Sequence, residues 1–205
     1  MFRRLSSIPS LEVLGDVSRL VGPLREGDLL GVIATDQLAY SYALSTAVES
    51  VGRAYYMDVS SRIPPVSGEV LFGRVYSMEE VLSGLDYVED GSLVVVGSLN
   101  VLEPSKGDIL KVKRIADRKG LYMMFVVEEP SLNELDLLSE AKRLFIVPEV
   151  FEQLLVLRIS YYRGKYRLSL SVLRTYPDNL RALGEHEIQI KEEALFPSRG
   201  GQPQE

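Results

Sequence analysis

Three short runs, Leu29-Leu30-Gly31-Val32-Ile33-Ala34, Leu93-Val94-Val95-Val96 and Leu121 to Val127, are apolar at nearly every position. A strand with one wet face alternates in polarity. A run apolar on both faces has to be covered on both sides, as in a sheet held between two layers of helices. The segments between these runs supply the helices. Leu38, Ala39, Tyr42, Ala43 and Ala47 recur at helical spacing over Leu38–Val51, and Gly52 follows as a stop. Ser77 with Glu80 has the spacing of a capping box before a helix to about Leu85, and Ser131 with Glu134 repeats it. Lys106 to Lys119 reads as a helix stopped by Gly120. Further strands are expected at Ala54–Asp58, Val70–Phe72 and Leu144–Val147, with a loop over 60–68 around Pro64-Pro65. Strand and helix in alternation predict an α/β fold with a mostly parallel sheet flanked by helices, with the strand Leu29–Ala34 central and adjacent to the strand Leu93–Val96. The last quarter changes character. Leu154–Ser160 and Lys165–Arg174 form a hairpin around Arg163-Gly164, and Glu187–Ile190 adds a third antiparallel strand. The reading is one domain over residues 1–196 and a disordered polar tail over 197–205.

Composition removes whole classes of chemistry. The 205 residues are 46% hydrophobic and 25% charged, a globular balance. There is no cysteine and one histidine, His186. Thiolate metal sites, disulfides, cysteine nucleophiles and multi-histidine metal centres are therefore out within one chain. No metal and no cofactor is expected. The net charge of −6 argues against an all-basic surface but permits a local basic face. No stretch of about 18 uninterrupted apolar residues occurs, so no membrane contact is expected and the protein is placed in the cytoplasm.

A parallel sheet binds ligands at the carboxyl ends of its strands, which makes the turn after Leu29–Ala34 the place to search. A phosphate loop there would read Gly-x-x-x-x-Gly-Lys-Ser/Thr. The eight places read Ala34-Thr35-Asp36-Gln37-Leu38-Ala39-Tyr40-Ser41. Only Ser41 fits. Ala34 and Ala39 replace the glycines, Tyr40 replaces the lysine, and Asp36 puts a negative charge where phosphates would sit. A magnesium-holding acid would follow Leu93-Val94-Val95-Val96, and that place is Gly97.

These residues carry a resemblance. Gly22 to Ser50, with the turn Arg25-Glu26-Gly27-Asp28, resembles the opening of a RecA/RadA-type recombinase core. Asp58 resembles the aspartate ending that family's second strand. Val94-Val95-Val96-Gly97-Ser98-Leu99 resembles its magnesium strand with the aspartate lost, and Tyr166–Arg174, Pro177 and Gly184-Glu185 resemble its closing strands. The likeness spans residues 10 to 195. It implies a noncatalytic paralogue of the small archaeal RadA kind, a pseudo-ATPase without catalytic or cofactor-binding residues and without the N-terminal DNA-binding domain of full-length recombinases. Such a protein would assist recombination or repair through a protein partner, a recombinase or paralogue, as a homo- or hetero-oligomer. A divergent nucleotide hydrolase using Ser41, Asp58 and Glu128 is the enzymatic alternative. A KaiC-like assembly or signalling module without a DNA role is the third reading.

Between Gln153 and Pro177 stand Arg158, Arg163, Lys165, Arg167 and Arg174 and no acid, interleaved at the turn with Tyr161, Tyr162 and Tyr166. Bases pair with phosphates and aromatic rings stack on bases, so this hairpin is the candidate DNA surface. Alternation sends Tyr161 and Tyr162 to opposite faces, with one of them expected in the core. The bland alternative is a solvated edge. Lys111, Arg114 and Arg118 share a face of the Lys106–Lys119 helix, where a solvated face is the favoured explanation. His186 between Glu185 and Glu187 is read as a surface or packing residue, Glu128-Glu129 as a loop, and Tyr40 and Tyr42 as core or interface.

Overall fold

The computed structural model of the chain describes residues 8–64 and 66–196; the disorder expected over 197–205 lies outside them. A two-stranded ribbon, β1 (Ser10–Leu11) with β2 (Leu24–Arg25), brackets α1 (Asp16–Val21). The main sheet is then built from β3 (Leu29–Ala34), β4 (Arg53–Asp58), β5 (Glu69–Arg74), β6 (Leu93–Gly97), β7 (Tyr122–Glu128), β8 (Gln153–Tyr162), β9 (Lys165–Arg174) and β10 (Gly184–Ile190). Between and after these strands lie α2 (Gln37–Val51), α3 (Met78–Leu85), α4 (Lys106–Lys119), α5 (Leu137–Phe145) and α6 (Glu192–Leu195).

The sheet order is β10-β9-β8-β3-β7-β6-β4-β5, parallel from β8 to β5 and antiparallel from β8 to β10. The continuous apolar runs occupy its centre, as two-sided burial requires. Leu30, Val32 and Ala34 of β3 join the core formed with α1, α2 and α6, while Leu29 and Ile33 join the core formed with α3, α4 and α5. Gly31 sits where a Cβ would come within 2.6 Å of Leu154 and 2.9 Å of Phe145, so only the absence of a side chain lets α5 lie against β3.

Four sequence expectations are corrected. The strand expected over Leu144–Val147 is instead the end of α5: Ala141, Leu144 and Phe145 fall on one helical face and are buried, and the helix breaks at Ile146. So short an apolar run fits either period. Ser131 does not cap a helix; its hydroxyl donates to Glu129 at 2.6 Å, and α5 is capped by Asp136. Ser77 does cap α3, but Glu80 accepts from Tyr76 N rather than from Ser77. Finally, β3 and β6 share one sheet but are not neighbours, because β7 lies between them, pairing Gly31 with Phe125 and Val96 with Phe125. All three strands are apolar on both faces, so burial alone does not rank them.

At the amino ends of the strands a polar cluster ties distant segments together. Lys113 Nζ of α4 lies 2.7 Å from the Gly27 carbonyl and 3.1 Å from both Asp28 and Glu152. Tyr176 donates to Asp28 at 2.9 Å, and Glu152 accepts from Leu29 N at 2.9 Å. Burial alone would lower the Lys113 pKa, but the charges of Glu152 and Asp28 outweigh it and raise it. Burial raises the Glu152 carboxyl, with Lys113 pulling it back.

Candidate functional site

Only Thr35 and Asp36 separate β3 from α2. Asp36 is extended (φ −152°, ψ 165°) and caps the helix, its Oδ1 accepting from Ala39 N at 2.8 Å. Its Oδ2 accepts from Ile159 N at 3.0 Å. The amino end of a helix presents free N–H groups and a partial positive charge, which attracts anions. Here the chain's own carboxylate takes that position. The helix also starts early. Gln37 to Ser41 are already helical and Tyr40 N is spent on Asp36 O at 3.0 Å, leaving no open loop of amides to wrap a phosphate. Ala34 and Ala39 are wholly buried, and the Ser41 carbonyl accepts the Ser45 hydroxyl at 2.8 Å.

Where the sequence reading looked for a lysine and a magnesium-holding acid, at Tyr40 and Gly97, the structure has one hydrogen-bonded group. Tyr40 is buried, with its hydroxyl 2.7 Å from that of Tyr56. Tyr56 donates to Asp58 Oδ2 at 2.7 Å, and Ser60 donates to the same oxygen at 3.0 Å. Asp58 Oδ1 accepts from Val59 N at 2.8 Å, so this fully buried carboxylate is held by donors on both oxygens. Burial, and then the charge of Asp58, drive the Tyr40 hydroxyl pKa well above its ordinary value, and burial drives Tyr56 the same way. Both stay protonated and able to donate. Gly97 is a consequence of this arrangement: a Cβ there would lie 2.5 Å from the Tyr40 hydroxyl and 2.9 Å from Asp58 Cγ. Over the top, the Arg62 guanidinium stacks 5.4 Å from the Tyr40 ring centre and pairs with Glu128 at 2.8 Å.

The structure therefore brings Ala34, Ala39, Tyr40 and Gly97 together at the carboxyl edge of the sheet. It adds Tyr56 and Arg62, for which the sequence carries no signal. Asp36 as a cap was legible from its place directly before the helical pattern. Of the residues of the hydrolase alternative, Asp58 and Glu128 already have partners. Glu129 is bound by Ser131 and Arg143, which hold its carboxyl below the usual range.

The five bases of the hairpin do not form one surface. Arg163 and Gly164 make a two-residue turn, both with positive φ (49° and 75°). Arg174 pairs across from Leu154, at the opposite end of the hairpin. Arg158 bridges to Glu134, and Arg167 to Glu187 at 3.0 Å, so acids far away in sequence neutralise them. Arg163 and Lys165 remain at the tip. Tyr161 and Tyr162 do lie on opposite faces, but both are exposed, at 63% and 52%, because the hairpin end projects past the core. Tyr161 packs on Tyr166 at 4.7 Å, and Tyr162 lies under Arg163 and Arg167. On α4, Lys111 and Arg118 lie near Asp108 and Asp86, each at 3.8 Å. His186 Nε2 is 2.8 Å from the Ala182 carbonyl, and among the described residues no group of three or more His, Asp or Glu is placed to hold a metal ion. No helix among them is long and apolar enough to cross a membrane.

No family model and no curated protein matches the sequence. Among solved structures the chain is similar to the flagellar accessory protein FlaH from Methanocaldococcus jannaschii, with a TM-score of 0.61 and 12% identity over 90% of this chain and 96% of that one. With its mostly parallel sheet between helices and its antiparallel closing strands, the chain has a RecA-like α/β core.

Proposed function

We propose that this chain is a noncatalytic RecA-like protein, a pseudo-ATPase that works by binding a partner. The carrying observation is that the Asp36 carboxylate occupies the amino end of α2. An incoming triphosphate would meet a fixed negative charge there instead of free amides. Tyr40, wedged against Gly97 and Asp58, supports the same reading at the second half of the site. Calorimetry with ATP and magnesium to millimolar concentration tests it: no heat of binding is expected, and micromolar affinity overturns it in favour of the hydrolase.

The finer reading is an archaeal RadA-paralogue-like accessory subunit in DNA recombination or repair. The exposed basic and aromatic hairpin tip supports it, now confined to Tyr162, Arg163 and Lys165, since Arg167 pairs with Glu187. Gel shifts with single-stranded DNA at low salt should give a complex that the triple change of Arg163, Lys165 and Arg167 to glutamate abolishes. A second reading, an assembly module without a DNA role, is favoured by the likeness to a flagellar accessory protein. Absence of any DNA complex, alone or with a captured and identified partner, selects that reading.

A further inference from the structure

We propose that the outer edge of β10 is a docking strand for an extended segment of a partner protein with basic side chains at alternate positions, added as a ninth strand to the sheet. This rests on the reading of the chain as a partner-binding protein and names the surface and the chemistry of the partner. β10 ends the sheet: its seven residues pair with β9 on one side and, among the described residues, with no strand on the other. Edge strands expose a row of free backbone donors and acceptors that another chain can complete. The two faces of this edge are chemically distinct. Glu185 and Glu187 point to one face and are exposed, whereas Ile188, on the other, lies at the rim of the core built on α2.

An added strand would extend both faces at once. Its apolar residues would cover Ile188, and its basic residues would stand beside Glu185 and Glu187. Charge selects that pattern. Residues 184–193 carry four glutamates, Glu185, Glu187, Glu192 and Glu193, against one lysine, Lys191. Arg167 meets Glu187, and among the described residues no ion pair engages Glu185. A second copy of β10 is disfavoured as the occupant, since antiparallel self-pairing would set glutamates against glutamates. Beside the strand, a groove of about 380 Å³ continues over Ser169 and Ser171 towards Glu134, leaving room for long basic side chains to lie across the sheet. The opposite edge, β5, offers no such signature, with Glu69 tied to Arg53 and Arg74 at its other end.

The probes are two synthetic peptides, one alternating lysine and valine and one alternating glutamate and valine, titrated into the full chain and followed by NMR and amide hydrogen exchange. The lysine peptide should bind and slow exchange along Glu185–Gln189. The variant Glu185→Lys/Glu187→Lys, altered only outside the core, should bind it at least about tenfold more weakly and should take the glutamate peptide instead. Equal binding of both peptides, unchanged affinity in the variant, or protection at the hairpin tip rather than at β10 would overturn the proposal. Because neither peptide involves nucleotide, its failure leaves the calorimetric test of the pseudo-ATPase reading intact.

Discussion

Gly97→Ala adds a single carbon, and the structure gives it nowhere to go. The new Cβ would lie 2.5 Å from the Tyr40 hydroxyl, 2.9 Å from Asp58 Cγ and 3.0 Å from the Tyr56 hydroxyl. All three neighbours are buried and bonded to one another, so none can swing into solvent. Overpacking of this kind costs about 1–3 kcal/mol. For a chain of this length that is a fall in melting temperature of roughly 2–12 °C. Gly97→Asp, which puts an acid at the position where the sequence reading looked for one, adds a carboxylate beside Asp58 and should cost about 3–5 kcal/mol at neutral pH. The sign with pH follows from the new group. Burial and the Asp58 charge would raise the folded-state pKa of the introduced carboxyl above its unfolded value, so the destabilisation is small in acid and grows as pH rises through the unfolded carboxylate range. Tyr40→Phe removes the closest atom and should recover part of the Gly97→Ala loss in a double-mutant cycle. Urea unfolding of the wild type, the two single variants and the double variant at pH 7, with Gly97→Asp measured at pH 7 and pH 4.5, tests all of this. A Gly97→Ala loss below about 0.5 kcal/mol, or no coupling to Tyr40, would refute the idea that the tyrosine occupies the place of the lysine and the metal.

Asp36→Ala should lose about 1–2 kcal/mol with the cap, and sulfate should then stabilise the variant but not the wild type; equal responses to sulfate in thermal melts would contradict self-occupation of the helix terminus. Tyr56→Phe removes a donor to a buried carboxylate and should cost about 1–3 kcal/mol by urea denaturation, more than Tyr40→Phe, whose hydroxyl reaches Asp58 only at 3.5 Å. Lys113→Met leaves Asp28 and Glu152 facing each other without their cation. Burial already raises the Glu152 carboxyl, and loss of the lysine charge should lift it further above its unfolded value, so the variant loses stability as pH rises from about 4 to 7. The difference from wild type should be largest at neutral pH in a series of melts, and a pH-independent difference would show that the cluster is not electrostatically coupled.

The sequence by itself determined the sheet and its cover. Runs such as Leu29–Ala34 and Leu93–Val96, apolar on both faces, are stable only between two helical layers, and the polarity change after Leu154 marks where the sheet turns antiparallel. The turn between the first long strand and its helix was legible too, because a β-strand followed at once by a helix defines a position regardless of what fills it, and the sequence reading compared Ala34, Ala39, Tyr40 and Gly97 there with a phosphate loop. What filled that position was decided only in three dimensions. Tyr56 and Arg62 reach Tyr40 from other segments, and nothing in local periodicity links them. The order β3-β7-β6 was equally beyond reach, since three strands of like polarity satisfy burial in any order and crossover packing chooses among them. The hairpin shows the same division in charge. Along the chain Arg158 and Arg167 stand in an acid-free stretch, but the fold sets Glu134 and Glu187 beside them, because Coulomb interactions act through space and the sequence records only neighbours along the backbone.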